Sequence, residues 1–266
     1  MRLAFIGGGN MGEAMIAAVI SKEVSAARAI SVSDVNEVRR GYLNNKYGVA
    51  VTEKVHPACE SDVIVLAVKP QQLPGVMRDL SGQLKEPQLV ISIVAGVTID
   101  TLRNGLGYNR IVRAMPNTPA QIGAGISIWT ATCDVSEVDK SRAGSILGSM
   151  GKEIYVNEEC YLDMATAVSG SGPAYVFLFV ESLITAATDL GLPDKMAREL
   201  VTETVSGSTR FMQISDIPPA DLRRKVTSPG GTTAAALACL EKGGFNVLIK
   251  KAVRSAYDRA KELGKS

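Results

Sequence analysis

The run Gly7-Gly8-Gly9-Asn10-Met11-Gly12 constrains this chain more than any other feature. The spacing G-x-G-x-x-G is weak evidence by itself. Here it follows the apolar run Leu3–Ile6, opens a helical pattern through Ile20, and precedes a second strand candidate ending at Ser33-Asp34. That strand–turn–helix–strand setting is what a dinucleotide-binding turn requires. Gly7 reads as the tight turn, Gly9 as the point where backbone meets a pyrophosphate, and Gly12 as a close helix–strand contact. Ile6, Gly8, Asn10 and Met11 complete the lining, and the helix start offers N–H groups and positive dipole to phosphates. Asp34 follows Gly12 at about the 20-residue spacing of an acid that bonds the adenosine ribose. It equally suits a cap on a helix starting near Asn36. A ribose 2′-phosphate favours basic neighbours, and Arg39 and Arg40 lie a helix turn or more further on, so both NADH and NADPH remain open.

The rest of the first half alternates β-branched runs with helical patterns. Strands are expected at 29–33, 49–51, 62–68, 89–94 and 110–114, with helices at 12–20, 35–44 and 72–84. The runs at 62–68 and 89–94 are apolar on consecutive residues, as in strands buried on both faces. This predicts an α/β fold with a doubly wound, mainly parallel sheet. A strand at 125–130, a helix at 135–150 and a last strand near 153–156 close that half. Strand signals stop after about residue 158. Helices then fit 173–190, a segment opened by Leu192-Pro193-Asp194, 232–241 and 245–263, with a break over 214–219. The domains expected are therefore 1–158, cofactor-binding, and 159–266, all-helical. Tyr175–Ile184 carries one charge, Glu181, so a partner subunit is expected to cover such helices.

Composition excludes other classes. Lys+Arg number 29 against 27 Asp+Glu, a net charge of +2, which gives no field for nucleic acid or an anionic membrane. The uncharged stretch 164–180 is interrupted by Ser169-Gly170-Ser171-Gly172-Pro173 and falls short of the ~20 apolar residues of a span. A soluble cytoplasmic protein is expected, its four scattered cysteines reduced. A single histidine, His56, and no CxxC pair argue against a metal site.

Ligands of an open α/β sheet lie beyond the carboxyl ends of its strands. Those ends carry Ala67-Val68-Lys69-Pro70, Ala95-Gly96, and Asn117 between two prolines. Lys69 reads as a group near a ribose or reacting centre, or as a solvated loop lysine. Asn117 suits a nicotinamide carboxamide, or a turn. Two segments in the helical half, 169–173 and Ser228-Pro229-Gly230-Gly231-Thr232-Thr233, read as anion nests at helix starts. The second is richer, with two glycines and hydroxyls at Ser228, Thr232 and Thr233. The helical half has no histidine, and Glu153–Asp194 has no lysine or arginine. Alcohol oxidation wants a base there. A protonated imine needs orientation and a dry pocket.

With Phe5–Gly12, Ala67–Pro70, Val94–Thr98, Met115–Pro119, Ser169–Ala174 and Val226–Thr233 in that order, the chain resembles the pyrroline-5-carboxylate reductases over essentially its whole length. The resemblance implies a Rossmann-type domain, an interlocking helical dimerisation domain, and dimers that often assemble into decamers. It implies hydride transfer from NADPH or NADH to the C=N bond of 1-pyrroline-5-carboxylate, a small imino acid, giving L-proline. Ser228 and the backbone of 231–233 would hold the carboxylate, and the Thr233 hydroxyl would reach the ring nitrogen. The family often carries Asn shortly after the third strand, where this chain reads Thr52-Glu-Lys-Val-His56. That departure bears on cofactor preference, as does Asp34, since the family usually favours NADPH. A hydroxyacid dehydrogenase of the same domain order would need a basic residue in 175–190, which has none. A non-catalytic nicotinamide sensor would not need the second nest.

Overall fold

The computed structural model describes residues 1–264. The elements of the first half are β1 (Leu3–Ile6), α1 (Asn10–Ser21), β2 (Ile30–Ser33), α2 (Glu37–Tyr47), β3 (Ala50–Thr52), β4 (Val63–Leu66), α3 (Leu73–Leu80), β5 (Leu89–Ser92), α4 (Ile99–Leu106), β6 (Ile111–Met115), β7 (Gly125–Ala131), α5 (Glu137–Gly148) and β8 (Gly151–Tyr155). The helices that follow are α6 (Cys160–Ala165), α7 (Gly172–Asp189), α8 (Asp194–Ser215), α9 (Pro219–Lys225), α10 (Thr232–Lys242) and α11 (Phe245–Leu263). The strands form one sheet in the order β3-β2-β1-β4-β5-β6-β7-β8. All pairs are parallel except β6 with β7. Strand order reverses beside β1, where a doubly wound sheet opens its ligand crevice.

The consecutive apolar residues of the central strands feed two cores. Leu3, Phe5, Val63, Val65, Leu89 and Ile91 point to one face, while Ala4, Ile6, Ile64, Leu66 and Val90 point to the other. All are essentially sealed from water. A period of two on a strand with no polar residue is what a sheet covered by helices on both sides demands.

Contacts divide the chain into two units. One comprises Met1–Ser171 together with the chain from Ala256 onward, and the other comprises Gly172–Ser255. In the second unit α7 packs against α8. It buries little else: Val176, Phe177, Leu178 and Phe179 of α7 and Val247, Leu248 and Ile249 of α11 stand exposed. The run Cys160–Asp189, with a hydropathy of 1.4, is long and apolar enough to cross a membrane.

Several expectations need correction. The helix expected over 72–84 ends at Leu80, and a short 3-10 turn, Pro70–Gln72, precedes it. Helix α6 was not anticipated, and the break expected over 214–219 is shorter because α9 starts at Pro219. Pro193 precedes the first residue of α8 instead of standing inside its first turn. The segment 169–173 is not a loop. A π-turn, Thr166–Gly170, joins α6 to α7, with the Ser171 N–H donating to the Thr166 carbonyl at 2.8 Å. Pro173 brings no N–H, and a wide turn just ahead of it lets the helical path continue. No anion nest forms there.

Helices α1 and α2 are joined by Glu13. Its Oε1 accepts from Tyr47 at 2.8 Å, Lys46 at 2.9 Å and Tyr42 at 3.0 Å, and its Oε2 pairs with Arg39. Burial pushes this carboxyl up, but the donors outweigh it and hold the pKa at about 2. A depressed folded-state pKa contributes stability above the unfolded value near 4.5, lost as pH falls toward 2. Glu13→Gln should therefore cost about 1–2 kcal/mol at pH 7. The gap between the urea midpoints of the variant and the native protein should narrow steadily below pH 4.5. A gap constant down to pH 3.5 would show that the charge contributes nothing.

Candidate active site

The glycine turn takes the shape its spacing implies. Gly7 has φ +101°, and a Cβ there would sit 2.5 Å from the Ala67 carbonyl oxygen, so no other residue fits. Its N–H donates to Ser33 at 2.7 Å, and the Ala67 N–H donates to Ile6 at 2.8 Å, which fixes the turn to β2 and the end of β4. Gly12 is as confined, since its Cβ would lie 2.5 Å from the Gly7 carbonyl oxygen. Gly9 differs. A Cβ there would meet nothing within 4 Å, and Gly9 caps α1 without any side-chain cap bond. An open face over the first N–H groups of a helix fits a pyrophosphate.

Asp34 serves the turn itself. Its Oδ2 accepts the Gly8 N–H at 2.8 Å and its Oδ1 the Asn36 N–H at 2.9 Å. The cap of α2 is Asn36, which accepts from the Arg39 N–H at 3.0 Å. Both guanidinium groups come close: Arg39 Nε donates to the Gly8 carbonyl, and Arg40 Nη1 to the Asp34 carbonyl at 2.8 Å. Beyond β1 and β2 opens a cavity of about 640 Å³ bordered by Ile6, Gly7, Asp34, Lys54, His56 and Val68. Its position beside the glycine turn and its size suit the adenosine half of a dinucleotide. Sequence reading noted Lys54 and His56 only for what they replace; the cavity puts both on its wall.

Along the later strand ends, Lys69 and Pro70 are exposed and Ala67 and Val68 half-buried. The Lys69 N–H donates to Gln72 Oε1 at 3.3 Å. Ala95 and Gly96 form a half-buried turn after β5 in which Gly96 has φ +72°. A Cβ on Gly96 would lie 2.7 Å from Leu263 Cβ, so the close of α11 rests on this turn. Asn117 accepts the Ile126 N–H on Oδ1 at 2.9 Å, which orients the amide and leaves Nδ2 as the donor.

The residues 228–233 belong to the other unit. Helix α10 starts at Thr232 with Gly231 as its cap residue and no side-chain cap bond. The Gly231 N–H donates to the Ser228 carbonyl at 3.1 Å, which curls the segment back on itself. Ser228, Gly230 and Thr232 are exposed, Gly231 and Thr233 half-buried. Exposed N–H groups and hydroxyls at a helix start make an anion cradle.

Compared with known proteins, residues 159–263 match the pattern described as "Pyrroline-5-carboxylate reductase dimerisation", and residues 2–96 match "NADP oxidoreductase coenzyme F420-dependent". A pyrroline-5-carboxylate reductase of Synechocystis is 42% identical over 266 residues, covering 100% of this chain and 99% of the relative. The chain belongs to the pyrroline-5-carboxylate reductase family. A reductase structure from Coxiella burnetii superposes with a TM-score of 0.92 at 39% identity, covering 100% of this chain and 99% of that one. A Plasmodium falciparum pyrroline carboxylate reductase solved with NADP bound gives 0.91 at 32% identity, covering 99% and 98%. This reductase is thus an NAD(P)H-dependent oxidoreductase that converts a cyclic imine, 1-pyrroline-5-carboxylate, to proline. Its fold is the expected α/β one, a Rossmann-type sheet followed by a helical dimerisation domain.

Sequence reading of the reductase missed one buried cluster near these turns, Arg113 with Glu159 and Asp163. The available signal was an arginine inside the otherwise apolar run Ile111–Met115. A charge on a buried strand needs partners, and it marks a place worth searching.

Proposed function

We propose that the two glycine-rich segments divide the work of the reaction. Gly7–Gly12 holds the pyrophosphate and Asp34 faces the adenosine ribose, with Ile6 at the strand end behind them. Ala67, Val68, Lys69 and Pro70, with Ala95, Gly96 and Asn117, border the nicotinamide. When bound, the dihydronicotinamide supplies the hydride. Ser228 and the N–H groups of Gly230, Thr232 and Thr233 hold the substrate carboxylate, on the turn that the Gly231 N–H closes through its bond to the Ser228 carbonyl. The Thr233 hydroxyl bonds the ring nitrogen, which takes its proton from water, so the C=N carbon is electrophilic before hydride reaches it. Orientation carries the chemistry, in keeping with a helical half without histidine. The observation that carries this reading is the uncapped start of α10, which leaves backbone N–H groups and three hydroxyls for an anion.

Both cofactors are accepted in this proposal. The Asp34 carboxylate disfavours a 2′-phosphate, while Arg39 and Arg40 beside it offset that charge. The functional division falls at 1–158 and 159–266. A second copy covers the exposed apolar faces of α7 and α11, giving a homodimer that builds toward a decamer. The run Cys160–Asp189 is then an interface and not a span. The enzyme works in the cytoplasm, with neither nucleic acid nor membrane as partner.

Purified protein should sediment at no less than twice the mass of one chain. It should oxidise NADPH and NADH only when the imine is present. Asp34→Asn should raise the NADPH-to-NADH ratio of kcat/KM several-fold. An imine-independent rate, a monomer, or a ratio indifferent to the variant would each remove the corresponding part of the proposal.

A further inference from the structure

Strand β6 is apolar except at Arg113, whose side chain is only 6% exposed. Its Nη1 donates to Glu159 Oε1 at 2.6 Å and its Nη2 to Asp163 Oδ1 at 3.0 Å. Glu159 stands just before α6 and Asp163 lies within it. The same Glu159 oxygen accepts the N–H of Ile99 at 2.8 Å, at the first residue of α4 and directly after the turn 94–98. Arg113 thus ties β6 to α6, and Glu159 carries the tie on to the start of α4, just past the Gly96 turn. The tie is closed at a second point, because a Cβ on Gly170 in the π-turn after α6 would lie 3.0 Å from Met115 Cε at the end of β6.

A buried guanidinium, even one paired with half-buried carboxylates as here, is a poor way to gain stability. Removing charges from water costs several kcal/mol per ion, and apolar residues of similar volume often serve packing as well. Three segments joined through one planar guanidinium and the carboxylate it shares with Ile99 are, however, held in a fixed register that greasy contacts leave loose. Two of those segments lead into Ala95-Gly96 and Asn117. We infer that Arg113 is a positioning residue of the reductase, holding the Gly96 turn and the Met115–Asn117 segment at the spacing hydride transfer needs. The inference rests on the reading of Ala95, Gly96 and Asn117 as nicotinamide walls.

The test uses the full-length enzyme with Arg113→Met, Arg113→Lys and Asn117→Ala, and NADPH carrying deuterium at the transferred position. The glycine turn does not touch Arg113, so Arg113→Met should leave the NADPH dissociation constant within about threefold. Its kcat should fall ~10²-fold, the scale expected when reacting groups lose alignment. The isotope effect on kcat should rise as hydride transfer becomes limiting. Lysine, unable to bridge two carboxylates, should restore little. If Arg113→Met lowers the melting temperature while kcat per folded enzyme and the isotope effect stay native, the residue is structural only and the inference is overturned. If Asn117→Ala changes neither kcat nor any KM, the wall reading itself fails and takes the inference with it. Should Arg113→Met not fold, Glu159→Ala against Glu159→Gln carries the same comparison. Glutamine keeps an acceptor for Ile99 and should retain most activity, and equal loss in both would overturn the inference.

Discussion

Gly9→Val is expected to melt within a few degrees of the native protein and to bind neither NADPH nor NADH. Gly9 has φ −64° and ψ −174°, a conformation open to any residue, and its Cβ would touch nothing within 4 Å. Valine there costs the free protein about 1 kcal/mol as a poorer helix cap, a shift of a few degrees in melting. It does fill the open space over the first N–H groups of α1. Hydrogen bonds to a charged group contribute about 1.5–3 kcal/mol each, so losing two weakens binding by ~10²–10⁴-fold. Gly7→Val and Gly12→Val are the contrast, because their side chains would collide with the carbonyls of Ala67 and Gly7. Those two should lose stability and binding together. Fluorescence titration with each cofactor, beside a thermal melt, separates the cases. Gly9→Val binding within threefold of native would remove the pyrophosphate from this turn.

Thr233→Ala should lower kcat/KM for the imino acid by ~10–100-fold, the cost of one hydrogen bond to a charged partner. Cofactor affinity should stay native, since Thr233 is not among the residues proposed to hold the cofactor. Thr233→Ser keeps the hydroxyl and should recover most of the loss. The half-buried threonine is the second residue of a helix whose cap needs no help from it, so the alanine variant should fold normally. Full activity in the alanine variant would detach the substrate from this cradle. A matching loss of cofactor affinity would mean that the residue acts on both ligands.

The central strands were legible because nothing competes with their signal. Val63–Leu66 is apolar on every residue and Leu89–Ser92 on all but the last, and only a strand covered on both faces asks for that. Their carboxyl ends were read too long because apolar residues continue into the turns: Ala67 and Val68 leave the sheet, Val68 to line the crevice, while Ile93 and Val94 leave it and still pack into the two cores. The glycines of 7–12 were readable because their demands are local. The contacts that finish the site are not. Gly8 meets Asp34 across 26 residues, and Arg113 meets Asp163 across 50. No periodicity encodes such pairs. The segment 169–173 misled for the opposite reason. Its Ser, Gly and Pro residues are the usual marks of a loop, yet a single wide turn keeps the chain helical through them.

The closeness of Leu263 to Gly96 has a bearing on how this chain is made. Residues from Ala256 onward complete a unit whose other members precede Gly172. A ribosome releases the chain in order, so the nucleotide-binding sheet emerges long before the helix end that rests on its Gly96 turn. That turn must wait, without its neighbour, while Gly172–Ser255 is synthesised. Final consolidation of the first half therefore comes only after Gly172–Ser255 has been made, when the end of α11 appears.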